Sequence, residues 1–256
     1  MTDYKTDFSI GKQTAFVTGG GSGIGRQLAC VLAAAGAKVV ITGRRENALQ
    51  STVEHIQSAG GTAAAVVSDL SDFSELENNC RRFCEPYGSP DILVNAAGVN
   101  LRQPTDEITE RYWDMTLDIN LKAPFFIARN LIPAMKEKGY GKIINIASLQ
   151  SERAFANSLP YGASKGGIMQ MTRAMAEAWS QFGINCNAIA PGFFPTELTE
   201  AVFTDKQKVA SLAAQTAMGR NGRLSDLNGP FLFLASDASN FVTGQTLYVD
   251  GGFSAK

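Results

Sequence analysis

Histidine is nearly missing from this chain: His55 is the only one in 256 residues. Cysteine is scarce as well, at four: Cys30, Cys80, Cys84 and Cys186. Cys80 and Cys84 stand four apart in a helical stretch, but no further His or Cys accompanies them to complete a ligand set, so no metal site is expected. His55 sits in a polar helical stretch, ALQSTVEHIQSAG, where a surface position is expected. Histidine-based catalysis therefore has little to stand on. The cysteines read as reduced thiols on or near the core, which points to a cytoplasmic protein. An excess of one charge is also lacking. With 23 Lys+Arg against 24 Asp+Glu the net charge is −1, and no basic block occurs. Nucleic acid and anionic membrane are excluded as expected partners. No apolar run approaches the roughly 18 residues of a membrane span. The opening MTDYKTDFSIGKQ has no apolar core of the signal-peptide kind. One further absence bears on function: no Asp or Glu lies between Asp7 and Glu46.

What is present alternates. QTAFVT (13–18), KVVIT (38–42), TAAAVVSD (62–69), DILVNAAG (91–98), GKIINIAS (141–148), INCNAIAPG (184–192) and QTLYVDGG (245–252) read as seven strands. Helical stretches separate them, among them 45–59, 72–87, 107–138 with Pro124 and Pro133 marking breaks, and 160–182. This rhythm implies βαβ units. The strands are continuous apolar runs, as strands buried on both faces must be. The expected fold is α/β: a three-layer, Rossmann-like, doubly wound parallel sheet of seven strands. A single domain over 1–256 is expected, since no linker or repeat divides it. The exception to the rhythm is a long excursion after strand six, whose first part, about 193–218, is expected to act as a substrate lid.

The turn VTGGGSGIGRQ (17–27) follows a strand and opens a helix. Glycines there let the backbone approach a pyrophosphate whose charge rests on the helix N-terminus. Its spacing is neither GxGxxG nor a P-loop, but Thr18-Gly19-x-x-x-Gly23-x-Gly25. Farther on, Tyr161 and Lys165 lie four apart on one helix face. A nearby ammonium favours phenolate, so Lys165 is expected to lower the Tyr161 pKa and make it usable as an acid/base. Ser148 ends strand five, at the sheet edge where the helix carrying Tyr161 begins, and is placed to donate to a substrate oxygen.

These motifs, together with NAAG (95–98), Asn120 in DINLKAPFF and PGFFPT (191–196), stand in an order and spacing that resembles the classical short-chain dehydrogenase/reductase family over nearly the whole chain. The resemblance implies ketone–alcohol interconversion with a nicotinamide cofactor. It assigns Tyr161 as acid/base, and Lys165 as the residue that holds the nicotinamide ribose. Ser148 would polarise the carbonyl, and Asn120 would hold a relay water. Gly19, Ser22, Gly23, Ile24 and Gly25 would cradle phosphate. Asp69 and Leu70 would contact adenine, while Asn95, Ala96 and Gly98 would stabilise the sheet and line the cofactor. Pro191, Gly192, Phe194 and Thr196 match the segment that meets the carboxamide. The family also implies a homotetramer. Proteins of this fold that only sense nucleotides typically lose the tyrosine or lysine; here all four catalytic positions stand.

KVVITGRRE (38–46) then gains meaning. At the end of strand two a carboxylate holds a free ribose 2′-hydroxyl, whereas arginine accommodates a 2′-phosphate. Here Gly43, Arg44 and Arg45 follow the strand and Glu46 comes too late. NADP(H) is expected over NAD(H), with Arg44 over the adenine and Arg45 or Ser22 assisting. For the substrate, Arg102 after NAAGVNL, and the stretch KIINIASLQS, are similar to the gluconate 5-dehydrogenase and 2-deoxygluconate dehydrogenase branch. Arg102 or Arg153 would pair with a carboxylate, and Gln150, Glu152 and Asn157 would bond hydroxyls. Phe193, Phe194 and Phe203 would instead suit an apolar ketone. The 3-oxoacyl thioester reductases and general carbonyl reductases share every motif above, so a sugar acid and an acyl thioester both stay open.

Overall fold

The computed structural model describes residues 8–11 and 13–256. Seven parallel strands form one sheet in the order β3-β2-β1-β4-β5-β6-β7. They are β1 (Thr14–Thr18), β2 (Lys38–Gly43), β3 (Thr62–Val67), β4 (Ile92–Asn95), β5 (Gly141–Ile146), β6 (Ile184–Pro191) and β7 (Thr246–Val249). The order reverses between β1 and β4, which creates the crevice at the strands' carboxyl ends where ligands of such sheets bind.

Alternation along the strands feeds two large cores and a small third cluster that holds Ala188 and Ala190 of β6. Ala15, Val17, Val39, Ile41, Ile92, Val94 and Ile144 point to one face. There they meet Leu28 and Leu32 of α1 (Gly23–Ala34), Leu49 and Val53 of α2 (Glu46–Ser58), and Phe231 and Leu234 of α9 (Asn228–Ala235). Phe16, Val40, Leu93 and Ile143 point to the other. They meet Leu76 and Phe83 of α3 (Leu76–Cys84), Ile127 and Leu131 of α5 (Ala123–Lys138), and Met175 of α6 (Leu159–Trp179). Each such buried Val, Leu, Ile, Phe or Met side chain contributes about 1.5–3 kcal/mol. The three-layer parallel architecture expected from the sequence is the one observed.

The local differences have physical causes. The third helix is only Leu76–Cys84, because Asp69 and Asp72 each accept bonds from the serine two residues on and wind 69–74 into turns. The break in 107–138 falls at neither proline. It is a π-helical turn at Asp118–Lys122 between α4 (Glu110–Leu117) and α5. Pro124 follows the π turn, in the first turn of α5, and Pro133 lies within that helix. The excursion after β6 carries α7 (Glu200–Phe203) and α8 (Lys206–Gln215). Among the described residues no helix is long and apolar enough to cross a membrane, and no three His, Cys, Asp or Glu cluster as a metal site would require.

Candidate active site and dinucleotide crevice

At the carboxyl edge of the sheet lies a cavity of about 600 Å³. It runs from Arg44 and Asp69 at one end, past the glycine turn, to Ser148, Tyr161 and Lys165 at the other. The glycine turn is built for close backbone approach. Gly19 has φ +68°, and a Cβ there would lie 2.9 Å from the Ala97 backbone. A Cβ on Gly25 would run into the carbonyl of Gly19. Ser22 N-caps α1 with an extended backbone and makes no side-chain capping bond. The turn and the first N–H groups of the 12-residue α1 are thus a cradle that fits a dinucleotide's phosphates. Thr18, at the tip of β1, steadies the facing loop by accepting from the N–H groups of Ala96 and Ala97, each at 3.0 Å.

The other end is held by buried hydrogen bonds. The Asn120 side chain sits in the π turn, a distortion often found at functional sites. Its Oδ1 accepts from Val99 N at 2.8 Å, and its Nδ2 donates to Val99 O at 2.9 Å and to Ser164 Oγ at 3.1 Å. Both amide hydrogens are thereby committed to joining the loop after β4 to α6. Gly98 lets that loop pass close by: a Cβ would be 3.3 Å from Asn120 Oδ1 and 3.8 Å from Lys165 Nζ. Lys165 is buried and donates to Ile146 O at 2.6 Å. Desolvation lowers its pKa to about 8. Ser151 Oγ donates to Lys165 O at 2.7 Å, tying the turn after Ser148 to α6.

Tyr161 is buried, with Ser148 and Arg102 close enough to act on its phenol. Its pKa moves up, against the expectation drawn from Lys165 alone. Desolvation is the largest cause, opposed by the Ser148 hydroxyl and by the charge of Arg102. The phenol is therefore a proton donor as it stands, and the sequence showed the nearby lysine but not the burial.

The remaining candidates divide. Ile24, Leu70, Ala96, Gly98, Gln150, Pro191, Gly192, Phe193, Phe194 and Thr196 line the cavity, as do Arg44, Arg45 and Arg102. Arg102 makes no salt bridge among the described residues. Asn95 lies beneath the cavity and donates to Asn145 Oδ1 at 2.9 Å, a bond within the sheet. Arg153 is turned away. It donates to the carbonyls of Phe253 at 3.0 Å and Lys256 at 3.5 Å and lies over the Phe253 ring. Asn157 also stands off the cavity. It takes φ 59° in a turn, and its carbonyl accepts from Gln103 N at 3.1 Å. Of the lining residues that the sequence reading did not single out, two bear on the chemistry. Phe155 packs edge-on to Phe193 at 5.7 Å, and Glu197 is ion-paired with Arg45 at 2.6 Å. The Arg45 partner is 152 residues distant, so no local spacing could have revealed it.

This arrangement is that of a known class. The family model described as enoyl-(acyl carrier protein) reductase matches residues 19–254. The chain belongs to the short-chain dehydrogenase/reductase family. Within it, the resemblance runs to the gluconate-dehydrogenase branch. Gluconate 5-dehydrogenase of Gluconobacter oxydans (strain 621H) is 38% identical over 247 residues, covering 96% of each chain. The 5-keto-D-gluconate 5-reductase of Escherichia coli (strain K12) is 35% identical over 245 residues, again covering 96% of each. The crystal structure of a gluconate 5-dehydrogenase from Burkholderia cenocepacia J2315, in complex with NADP and tartrate, has a TM-score of 0.93 and 38% identity, with 98% of each chain covered.

Proposed function

We propose that this protein is an NADP(H)-dependent oxidoreductase that interconverts a ketone and a secondary alcohol on a sugar acid, as the gluconate 5-dehydrogenases do. The observation that carries this reading is the pairing of the Ser148 hydroxyl with the buried Tyr161 phenol at the cavity wall, with Lys165 behind and Arg102 close enough to affect the phenol. When bound, the nicotinamide supplies or takes the hydride. The chain's own residues manage the oxygen and the proton. Ser148 donates to the substrate carbonyl and polarises it. Tyr161 gives its proton to that oxygen as the alcohol forms, and in the reverse direction takes it back. Lys165, as ammonium below about pH 8, stabilises the phenolate left behind. Asn120 keeps the loop after β4 and α6 in register, and the second lone pair of its Oδ1 is the acceptor for a relay water.

Arg102 is the group for the substrate carboxylate, since it faces the cavity without an internal partner. Gln150 lines the same cavity and is the group for a hydroxyl, and Phe155 with Phe193 walls the carbon chain. Residues 193–218 act as the lid. Arg44 holds the cofactor's 2′-phosphate. We also infer a homotetramer in the cytoplasm: β7 is an edge strand, and Phe182, Phe241 and Leu247 are exposed near it or on the adjoining helix end. The substrate reading is tested by comparing 5-keto-D-gluconate with an acetoacetyl thioester as oxidants of NADPH. Turnover of the keto acid is expected to dominate, and Arg102→Ala is expected to raise its KM about tenfold to a hundredfold, the worth of a charge-assisted pair. Dominant turnover of the thioester would replace the sugar acid with an acyl substrate.

A further inference from the structure

Three polar groups meet at the rim of the cavity beside the glycine turn. Arg45 donates to Glu197 Oε1 at 3.2 Å and Oε2 at 2.6 Å, and also to Ser22 Oγ at 3.1 Å. Ser22 also lies close enough to Glu197 to help hold its charge. Ser22 is the residue that caps α1 without using its hydroxyl on the helix. A serine hydroxyl and a guanidinium converging at a helix N-terminus are the donors that bind an oxyanion. Here an oxyanion already sits on them, and it belongs to the chain. Glu197 follows Thr196, whose side chain lies against the glycine turn: a Cβ built on Gly23 would come within 3.3 Å of it. Thr196 to Thr199 form a single 3₁₀ turn whose side chains and backbone cap one another, so a shift of Glu197 moves that turn as a unit. The turn leads into α7 and α8.

We propose that Glu197 is an internal occupant of the 2′-phosphate site and a determinant of cofactor choice. Its carboxylate holds Ser22 and Arg45 until a phosphate displaces it, and that displacement frees the first turn of the lid. The inference rests on the NADP(H) reading and adds to it. A cofactor with a plain 2′-hydroxyl has no charge with which to compete for Arg45, so the Arg45–Glu197 bridge stays closed beside it. One with a 2′-phosphate takes Arg45 and repels Glu197. The bridge is suited to exchange, since both side chains are more than half exposed, and pairs of that kind are weak. The carboxylate is ionised at neutral pH, as an ordinary glutamate is, and Arg45 holds its pKa lower still.

The test uses the full chain and two probes, adenosine 2′,5′-bisphosphate and adenosine 5′-diphosphate, with affinities by calorimetry for wild type and Glu197→Gln. The substitution keeps the shape and removes the charge. Binding of the 2′,5′-bisphosphate is expected to tighten about threefold to tenfold, from loss of a weak competing pair and of like-charge repulsion. Binding of the 5′-diphosphate is expected to change by less than about twofold. Amide exchange over residues 196–204 is expected to quicken in wild type with the 2′,5′-bisphosphate but not with the 5′-diphosphate, and to be fast in Glu197→Gln without either. An unchanged ratio of the two affinities, or weaker bisphosphate binding in Glu197→Gln, overturns the proposal; the latter would make Glu197 a clamp on the bound phosphate. If wild type itself does not prefer the bisphosphate, the NADP(H) reading fails, which is a separate result.

Discussion

The two ends of the cavity are built on opposite principles. At the Tyr161 end the central polar groups are committed to the fold. Asn120, Ser151 and Lys165 spend their hydrogen bonds on backbone carbonyls and neighbouring loops, and both Tyr161 and Lys165 are shielded from solvent. At the Arg44 end the polar groups are exposed, and their main bond is an ion pair to a distant segment. A buried network fixes positions and shifts pKa values, which hydride and proton transfer require. An exposed pair can be exchanged for a ligand at little cost, which recognition requires. On this difference we assign the rate to the buried end and the choice of cofactor to the exposed one.

Substitutions should keep the two ends apart. Tyr161→Phe removes the transferable proton and leaves the ring. Turnover of 5-keto-D-gluconate with NADPH is expected to fall about 10²- to 10⁴-fold, with the NADPH dissociation constant within about fivefold of wild type by fluorescence titration. Turnover within tenfold of wild type would remove Tyr161 from the acid/base role. Arg44→Asp acts at the other end. It is expected to shift the ratio of kcat/KM for NADPH over NADH by about tenfold to a hundredfold toward NADH, as loss of a charge-assisted bond to phosphate implies. An unchanged ratio would mean that Arg44 is only a solvated turn residue.

The pH profile separates the ends in a milder way. Burial keeps Tyr161 protonated across neutral pH, and Lys165 carries its charge below about 8. Reductive kcat is therefore expected to be flat from about pH 6 to 7.5 and to fall as pH rises through about 8, where Lys165 loses its proton and the phenolate loses its counter-charge. A profile still flat well above that midpoint would contradict the role given to Lys165. The smallest effect belongs to Arg153→Ala. Because Arg153 grips the chain's last residues rather than the cavity, KM for the keto acid is expected to change by less than about twofold, while thermal stability drops by a few degrees. A tenfold KM effect would return Arg153 to the substrate site.

How much of this was legible follows from how far each signal reaches along the chain. The strands announced themselves as apolar runs, and the glycine turn by its spacing, because both are set by neighbours within a few residues. Tyr161 and Lys165 were legible for the same reason, being one helical turn apart. The π turn at Asp118–Lys122 was not. It has no residue signature, and the prolines at 124 and 133 drew the eye instead. The direction of the Tyr161 shift was misread because burial is a property of the assembled layers. Arg153 and Arg45 were seen as free charges because their partners lie 100 to 152 residues away. Long charged side chains on loops find their partners only in the fold, so exposed-looking arginines are the least readable part of such a sequence.

The separation of the two ends comes down to one number: kcat of Arg44→Asp on saturating 5-keto-D-gluconate with saturating NADH. If the recognition end only chooses the cofactor, that value lies within about threefold of wild-type kcat with NADPH, because Ser148, Tyr161 and Lys165 are untouched. A fall of a hundredfold or more, with NADH shown to be bound, would contradict the account, since the exposed end would then be setting the rate as well.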